Sequence, residues 1–173
     1  CTTDDPIDSL EWHEKLAADK TFKTAVLPAW RPDKAMNLEK VTWPEYIAKL
    51  SEVSGVKIDS FAKLKEALKI RMDYFEKRGC KLSDHALDFV MYAPADESEI
   101  EKIFADRLAG KTPSKESELK FKMAFMIFAA KEYHRRGWVM QLHYGCRRDN
   151  NPPMFDKLGP DTGFDCVDNS APS

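Results

Sequence analysis

The sequence predicts an α/β fold of parallel strands, rich in helix. Short apolar runs and helical patterns alternate along the chain as strand, helix, strand, helices, strand, helices, strand. Such alternation argues for a parallel sheet. Each apolar run also ends at a polar cluster: Asp4 and Asp5, Arg31 and Asp33, Asp84 and His85, His143 and Arg148. In parallel α/β folds, and in barrels of eight strands above all, chemistry sits at the carboxyl ends of the strands. Finally, the composition is globular, with 173 residues, 43% hydrophobic, 32% charged and a net charge of −2.

The elements follow in order. "CTTDDP" reads as the end of a strand. Asp8 and Glu11 have the spacing of a capping box, which places a helix from about Ser9 to Ala18. "KTAVLPAW" reads as a short buried strand leading to "RPDK", although Pro28 cannot donate to a ladder. Thr42 and Glu45 repeat the capping-box pattern before a helix that runs to about Val53 and closes at Gly55. A longer helix follows from about Ser60 to Arg78, with Phe61, Leu64, Leu68, Met72 and Phe75 on one face and Gly79 as its stop. Together these form a helical insertion over about 34–79. "CKLSDHAL" is the next strand. Asp96 and Glu99 open a helix to about Leu108, and another spans Lys115–Arg136, so helices fill about 96–136. The middle of the last, "MAFMIFAA", is apolar on nearly all sides and calls for deep burial or an interface. "WVMQLHYG" is the fourth strand, and the tail from Asp149 reads as loop. The chain reads as one segment, 1–173.

Several function classes are excluded by composition. Near-zero net charge gives no electrostatic case for nucleic acid or an anionic membrane. The longest apolar-rich run, Met123 to Ala130, is far too short to span a bilayer. Cys1, Cys80, Cys146 and Cys166 match no zinc-finger or CxxC spacing and read as reduced thiols of a cytoplasmic protein. No signal peptide is visible. A start at Cys1, inside what reads as a strand end, suggests a fragment or a processed piece.

Each polar cluster admits a chemical reading and a bland one. Alternation along a strand puts Gln141 and His143 on one face, either lining a ligand site or forming the polar side of a half-exposed strand. Arg148, in the following loop, could hold a carboxylate through paired hydrogen bonds or could be solvated. Asp84 could serve as a general base or bind hydroxyls, or could cap the segment that follows. Its neighbour His85 points to the opposite face, so the two do not form a direct dyad. His13 and His134 read as surface histidines. No His-x-His, His-Glu-x-x-His, Gly-rich phosphate loop or Gly-x-Ser-x-Gly is present.

The words "CTTDDP", "RPDK", "GCKLSDHAL", "MQLHYGCRRDNN" and "LGPDTGFD" occur in this order. Together they resemble the uronate (glucuronate) isomerases of the amidohydrolase superfamily, over essentially the whole chain. The resemblance implies part of a distorted (β/α)8 TIM barrel with helical insertions. It implies aldose–ketose isomerisation of D-glucuronate to D-fructuronate and of D-galacturonate to D-tagaturonate, by proton transfer through an enediolate. By motif match Asp84 and His143 fall on catalytic positions, and Arg148 and Arg31 on substrate-binding ones. The family's divalent metal, expected to be zinc, takes ligands from an N-terminal His-x-His and a late aspartate. Both are expected outside this chain, which would then be inactive alone. Hexuronate sugar acids are the implied partners, with a homo-oligomer possible. After "TGFD" the chain reads "CVDN" where a Gly-Asp pair is expected. Two other readings stand beside this one: a non-catalytic helical interaction module, favoured by the apolar helix Lys115–Arg136, and a metal-dependent hydrolase of the same superfamily.

Overall fold

Strands β1 (Thr2–Asp4), β2 (Pro28–Trp30), β3 (Leu82–Ala86) and β4 (Val139–His143) form one sheet in that order in the computed structural model, which describes residues 1–160 and 162–167. β1 pairs with β2, and β2 with β3, in parallel. Strands adjacent in sequence are adjacent in the sheet, with helices between them, as the alternating pattern requires. β2 is shorter than "KTAVLPAW" suggests. Pro28 is its first residue, where a missing N–H costs no ladder bond. β4 is mostly exposed, with Val139 at 66%, because it ends the strand order.

The chain divides into two compact units. The first holds Cys1–Asp84 and Met91–Gln141, and the second holds His85–Val90 and the described residues from Leu142 onward. The first contains α1 (Glu11–Ala18), α2 (Asp33–Met36), α3 (Trp43–Ser54), α4 (Phe61–Glu76), α5 (Glu97–Leu108) and α6 (Lys115–Arg136).

Only one of the three expected capping boxes forms a side-chain cap. Asp96 accepts from the Glu99 amide at 2.9 Å and opens α5. Asp8 instead accepts from the Asp5 amide at 2.7 Å, so it is spent on the loop, and α1 starts after Leu10 at φ 53°. Thr42 sits at φ −77°, ψ −4°, a helical conformation that turns its hydroxyl away from the cap position. α4 starts where its pattern predicts, with Ser60 accepting from the Lys63 amide at 3.2 Å. Its stop, Gly79, stands at φ +89°, and a Cβ there would meet the Leu27 side chain at 2.9 Å.

Aromatic side chains join the helices. Trp43 of α3, Phe61 of α4, Phe104 of α5 and Phe121 and Phe125 of α6 are all buried. Trp30 of β2 meets Phe75 of α4 edge to face at 4.9 Å and ties the helices to the sheet. The apolar middle of α6 is not buried all round. Phe125 and Ala129 are enclosed, whereas Ile127 is 49% exposed. Met123, Ala124, Ile127 and Phe128 line a groove of about 890 Å³ between α4, α5 and α6. No helix among the described residues is long and apolar enough to cross a membrane.

In the second unit the expected loop contains structure. α7 (Pro152–Leu158) starts at Asn151, whose side chain accepts from the Met154 amide, with prolines at its first positions. β5 (Cys146–Arg147) pairs antiparallel with β6 (Cys166–Val167). All four cysteines are free thiols. Asp161 of "LGPDTGFD", Asp168 and Asn169 of "CVDN", and "NSAPS" lie outside the described residues.

Candidate active site

β1 and β2 run in the same direction, so their carboxyl ends open at one edge of the sheet. A cavity of about 310 Å³ lies there, lined by Thr3, Asp4, Asp5, Asp8, Arg31, Asp33 and Lys34. The Arg31 amide donates to the Asp4 carbonyl at 3.0 Å and continues the parallel pairing past the strands. Its side chain turns back along the sheet edge. Arg31 Nε donates to Asp33 Oδ2 at 2.9 Å, and Nη1 lies 3.6 Å from Asp84 Oδ2. Asp84 is 6% exposed and lies inside β3, so it caps no helix. Its neighbour His85 is also buried.

The two aspartates of "CTTDDP" are held separately. Asp4 Oδ2 accepts from the Thr2 hydroxyl at 2.6 Å and from the Ala29 amide at 3.3 Å, and His13 Nε2 lies 3.7 Å away. His13 is therefore packed against β1 rather than standing free on the surface. Asp5 Oδ1 accepts from the Tyr46 hydroxyl at 2.8 Å and from the Ile7 amide at 3.1 Å, and Lys34 Nζ lies 3.2 Å from Oδ2. Burial, and then the Asp5 charge, pushes the Tyr46 phenol well above its ordinary range. Tyr46 is therefore a neutral donor at every physiological pH.

This edge is richer in acid than in base. Four carboxylates, Asp4, Asp5, Asp8 and Asp33, face two cations, Arg31 and Lys34. Arg31 is already matched by Asp33 and Asp84. Such a lining suits hydroxyl groups, which both donate and accept, better than a further carboxylate.

The second unit holds the other two expected site residues. His143 is the exposed last residue of β4, and its carbonyl accepts from the Leu87 amide at 2.7 Å. Arg148 Nη1 donates to Asp165 Oδ2 at 2.6 Å. The Asp149 amide donates to Asp165 Oδ1 at 3.0 Å, and the Asn150 amide to the Phe164 carbonyl at 2.9 Å. "MQLHYGCRRDNN" and the end of "LGPDTGFD" are thus one hydrogen-bonded structure. The Asp149 amide and then Arg148 hold the Asp165 carboxyl below its ordinary value.

The structure therefore brings Arg31 and Asp84 together in the first unit and places His143 and Arg148 in the second. It also adds Lys34 and Tyr46, which sequence reasoning did not select, and Asp5, which it named only as part of a strand-end cluster. Asp5 and Lys34 stand inside quoted motif words, so a signal existed. Tyr46 lies among apolar residues of α3 and reads as core. Among the described residues, no three His, Cys, Asp or Glu side chains group to hold a metal ion.

Comparison with known proteins sets this geometry in a family. The family model described as glucuronate isomerase matches residues 1–173. The uronate isomerase of Lachnoclostridium phytofermentans is 64% identical over 173 residues, covering 100% of this chain and 37% of that protein. That of Lachnospira eligens is 60% identical over 167 residues, covering 96% of this chain and 36% of that protein. The crystal structure of uronate isomerase from Thermotoga maritima superposes with a TM-score of 0.89 at 34% identity, over 98% of this chain and 38% of that one. The crystal structure of glucuronate isomerase from Caulobacter crescentus gives 0.84 at 28%, over 96% and 34%. The chain spans about 37% of the length of the curated relatives it matches. With every residue inside the family model and a parallel, helix-rich sheet matching solved members, the chain belongs to the glucuronate isomerase family.

Proposed function

We propose that this chain supplies part of the active site of a uronate isomerase, interconverting D-glucuronate with D-fructuronate and D-galacturonate with D-tagaturonate in the cytoplasm. The observation that carries the proposal is the family match over residues 1–173, joined to an acid-rich cavity at the strand ends.

The reaction moves a proton between C2 and C1 of an open-chain sugar acid through an enediolate. It needs a base at carbon, a donor at the carbonyl oxygen and a cation for the substrate carboxylate. Arg31 and the aspartates around it supply contacts for sugar hydroxyls. Asp84, buried and 3.6 Å from Arg31, is the carboxylate through which the proton passes or that fixes a reacting hydroxyl. His143 at the end of β4 holds the reacting oxygens. Arg148 receives the substrate carboxylate through its planar guanidinium, and its bond to Asp165 fixes the plane of that group.

The divalent ion that the family resemblance implies does not fit the described residues, because no three suitable side chains converge. We place its ligands in the part of the relatives that this chain does not match.

The test is a chimera. These 173 residues replace the matched stretch of the Lachnoclostridium phytofermentans uronate isomerase. The expected result is D-glucuronate isomerisation, read as ketose appearance, lowered at least about a hundredfold by Asp84→Asn or His143→Ala. A folded chimera without turnover, or one indifferent to both substitutions, would refute the reading.

A further inference from the structure

The carboxylate of Asp5 lines the strand-end cavity and is held from several sides. Three donors reach it from three directions. The Tyr46 hydroxyl approaches Oδ1 at 2.8 Å from α3, and the Ile7 amide approaches the same oxygen at 3.1 Å from the loop after β1. Lys34 Nζ lies 3.2 Å from Oδ2 and comes from α2.

The three differ in mobility. The Ile7 amide belongs to a loop that is itself clamped. Arg71 on α4 is 7% exposed, and its Nε and Nη2 donate to the Pro6 carbonyl at 2.6 Å and to the Asp8 carbonyl at 2.8 Å. Tyr46 is 6% exposed and anchored in the helical insertion. The Lys34 side chain is 68% exposed, so it alone of the three can swing away. In this cavity-lining residue Oδ1 is thus held by two anchored donors, while Oδ2 is met by an exposed, movable cation.

This arrangement has a use in sugar recognition. A carboxylate held by a buried neutral donor is a preorganised acceptor, and a sugar hydroxyl can replace a loosely held ammonium on its open oxygen. We propose that Tyr46 is a positioning residue of the strand-end cavity, fixing Asp5 as the acceptor for a hexuronate hydroxyl, with Lys34 as the group that yields to substrate. The proposal rests on the isomerase reading above. It gives the helical insertion a role in substrate binding, since Tyr46 reaches Asp5 across 41 residues of sequence.

Two measurements test it. In the chimera, Tyr46→Phe keeps the ring and removes the hydroxyl. It is expected to raise KM for D-glucuronate about five- to tenfold, the size of one hydrogen bond, and to raise KM more than it lowers kcat. Asp5→Asn is expected to raise KM at least as much. The double substitution should be no worse than Asp5→Asn alone, because the two residues act as one unit. A residue that only packs α3 would give additive effects, and additivity or an unchanged KM overturns the proposal. In the isolated chain, amide hydrogen exchange at Ile7 reads the same contact without turnover. It should quicken several-fold in Tyr46→Phe while the melting temperature stays within a few degrees, and unchanged exchange would also overturn the proposal. An inactive unsubstituted chimera would sink the isomerase reading and leave the Ile7 measurement to decide the position of Asp5.

Discussion

Arg148 and Asp165 show how a residue assigned to substrate can also be structural. Arg148 is expected from its motif to hold a carboxylate, and in the structure it holds one from its own chain. The pair joins the residue after β5 to the residue before β6, and the Asp149 amide completes it at 3.0 Å. Its pH dependence follows from the direction of the shift. The folded Asp165 carboxyl titrates below its ordinary value of 3.8, first because of the Asp149 amide and then because of Arg148. A depressed carboxyl contributes stability that is complete above the unfolded value and is lost as pH falls through the folded one. The β5–β6 ribbon is therefore expected to be intact at neutral pH and to loosen below about pH 4. The protection of the Asp149 amide against hydrogen exchange, relative to its intrinsic rate at each pH, should fall across that window. Asp165→Asn, with no charge to lose, should remove the pH dependence; a persistent acid transition in that variant would assign it to another carboxylate.

At the scale of elements, α4 decides how the helical insertion sits. Its first turn is capped twice. Ser60 accepts from the Lys63 amide, as its position before an apolar run predicts. The Glu101 carboxylate, from α5, accepts from the Phe61 amide at 2.8 Å and the Ala62 amide at 2.9 Å. Those amides have no partner inside the helix, and a negative charge at a helix N-terminus is favourable. Glu101→Ala is expected to destabilise the chain by about 1–2 kcal/mol, read by urea unfolding, as loss of a helix cap does. Glu101→Gln should lose less, since it keeps an acceptor. Equal losses would mean that the negative charge carries the cap and a neutral acceptor does not replace it.

The two caps also mark what the sequence could reveal. Ser60 is local and was legible, as were Asp96, Gly55 and the apolar stripe of α4. Glu101 lies some 40 residues away, and nothing in its spacing announces α4. Asp8 failed as a cap because the Asp5 amide claimed it, a competition that only the folded loop decides. α7 was missed because Pro152 and Pro153 read as loop, although prolines belong at the first turn of a helix. In the candidate site, Arg31 and Asp84 were reachable from motif words, whereas Tyr46 was not, because a tyrosine among apolar neighbours gives no sign of what its hydroxyl will meet.

At the scale of the whole molecule, the first unit depends on one aromatic layer. Phe121 of α6 touches Phe61 of α4 at 5.3 Å, Phe104 of α5 at 6.2 Å and Phe125 at 6.3 Å between ring centroids. Phe104 meets Trp43 of α3 at 5.3 Å. Four helices therefore share one contact set, and Tyr46 and Arg71, which hold the loop around Asp5, lie on two of them. Phe121 is wholly buried, so truncation removes both its transfer free energy and its neighbours' contacts. Phe121→Ala is expected to cost about 3–5 kcal/mol, a large share of a total near 5–15 kcal/mol. A chain of this length should then melt on the order of 10 °C lower. Ile127 supplies the contrast on the same helix. It is 49% exposed in the groove, so Ile127→Ala removes little buried area and should shift the melt by less than about 3 °C. Calorimetry on both variants decides between a layer centred on Phe121 and one spread evenly along α6. A comparable loss from Ile127→Ala would show that the groove face is covered in solution, and that the apolar middle of α6 is as buried as its sequence first suggested.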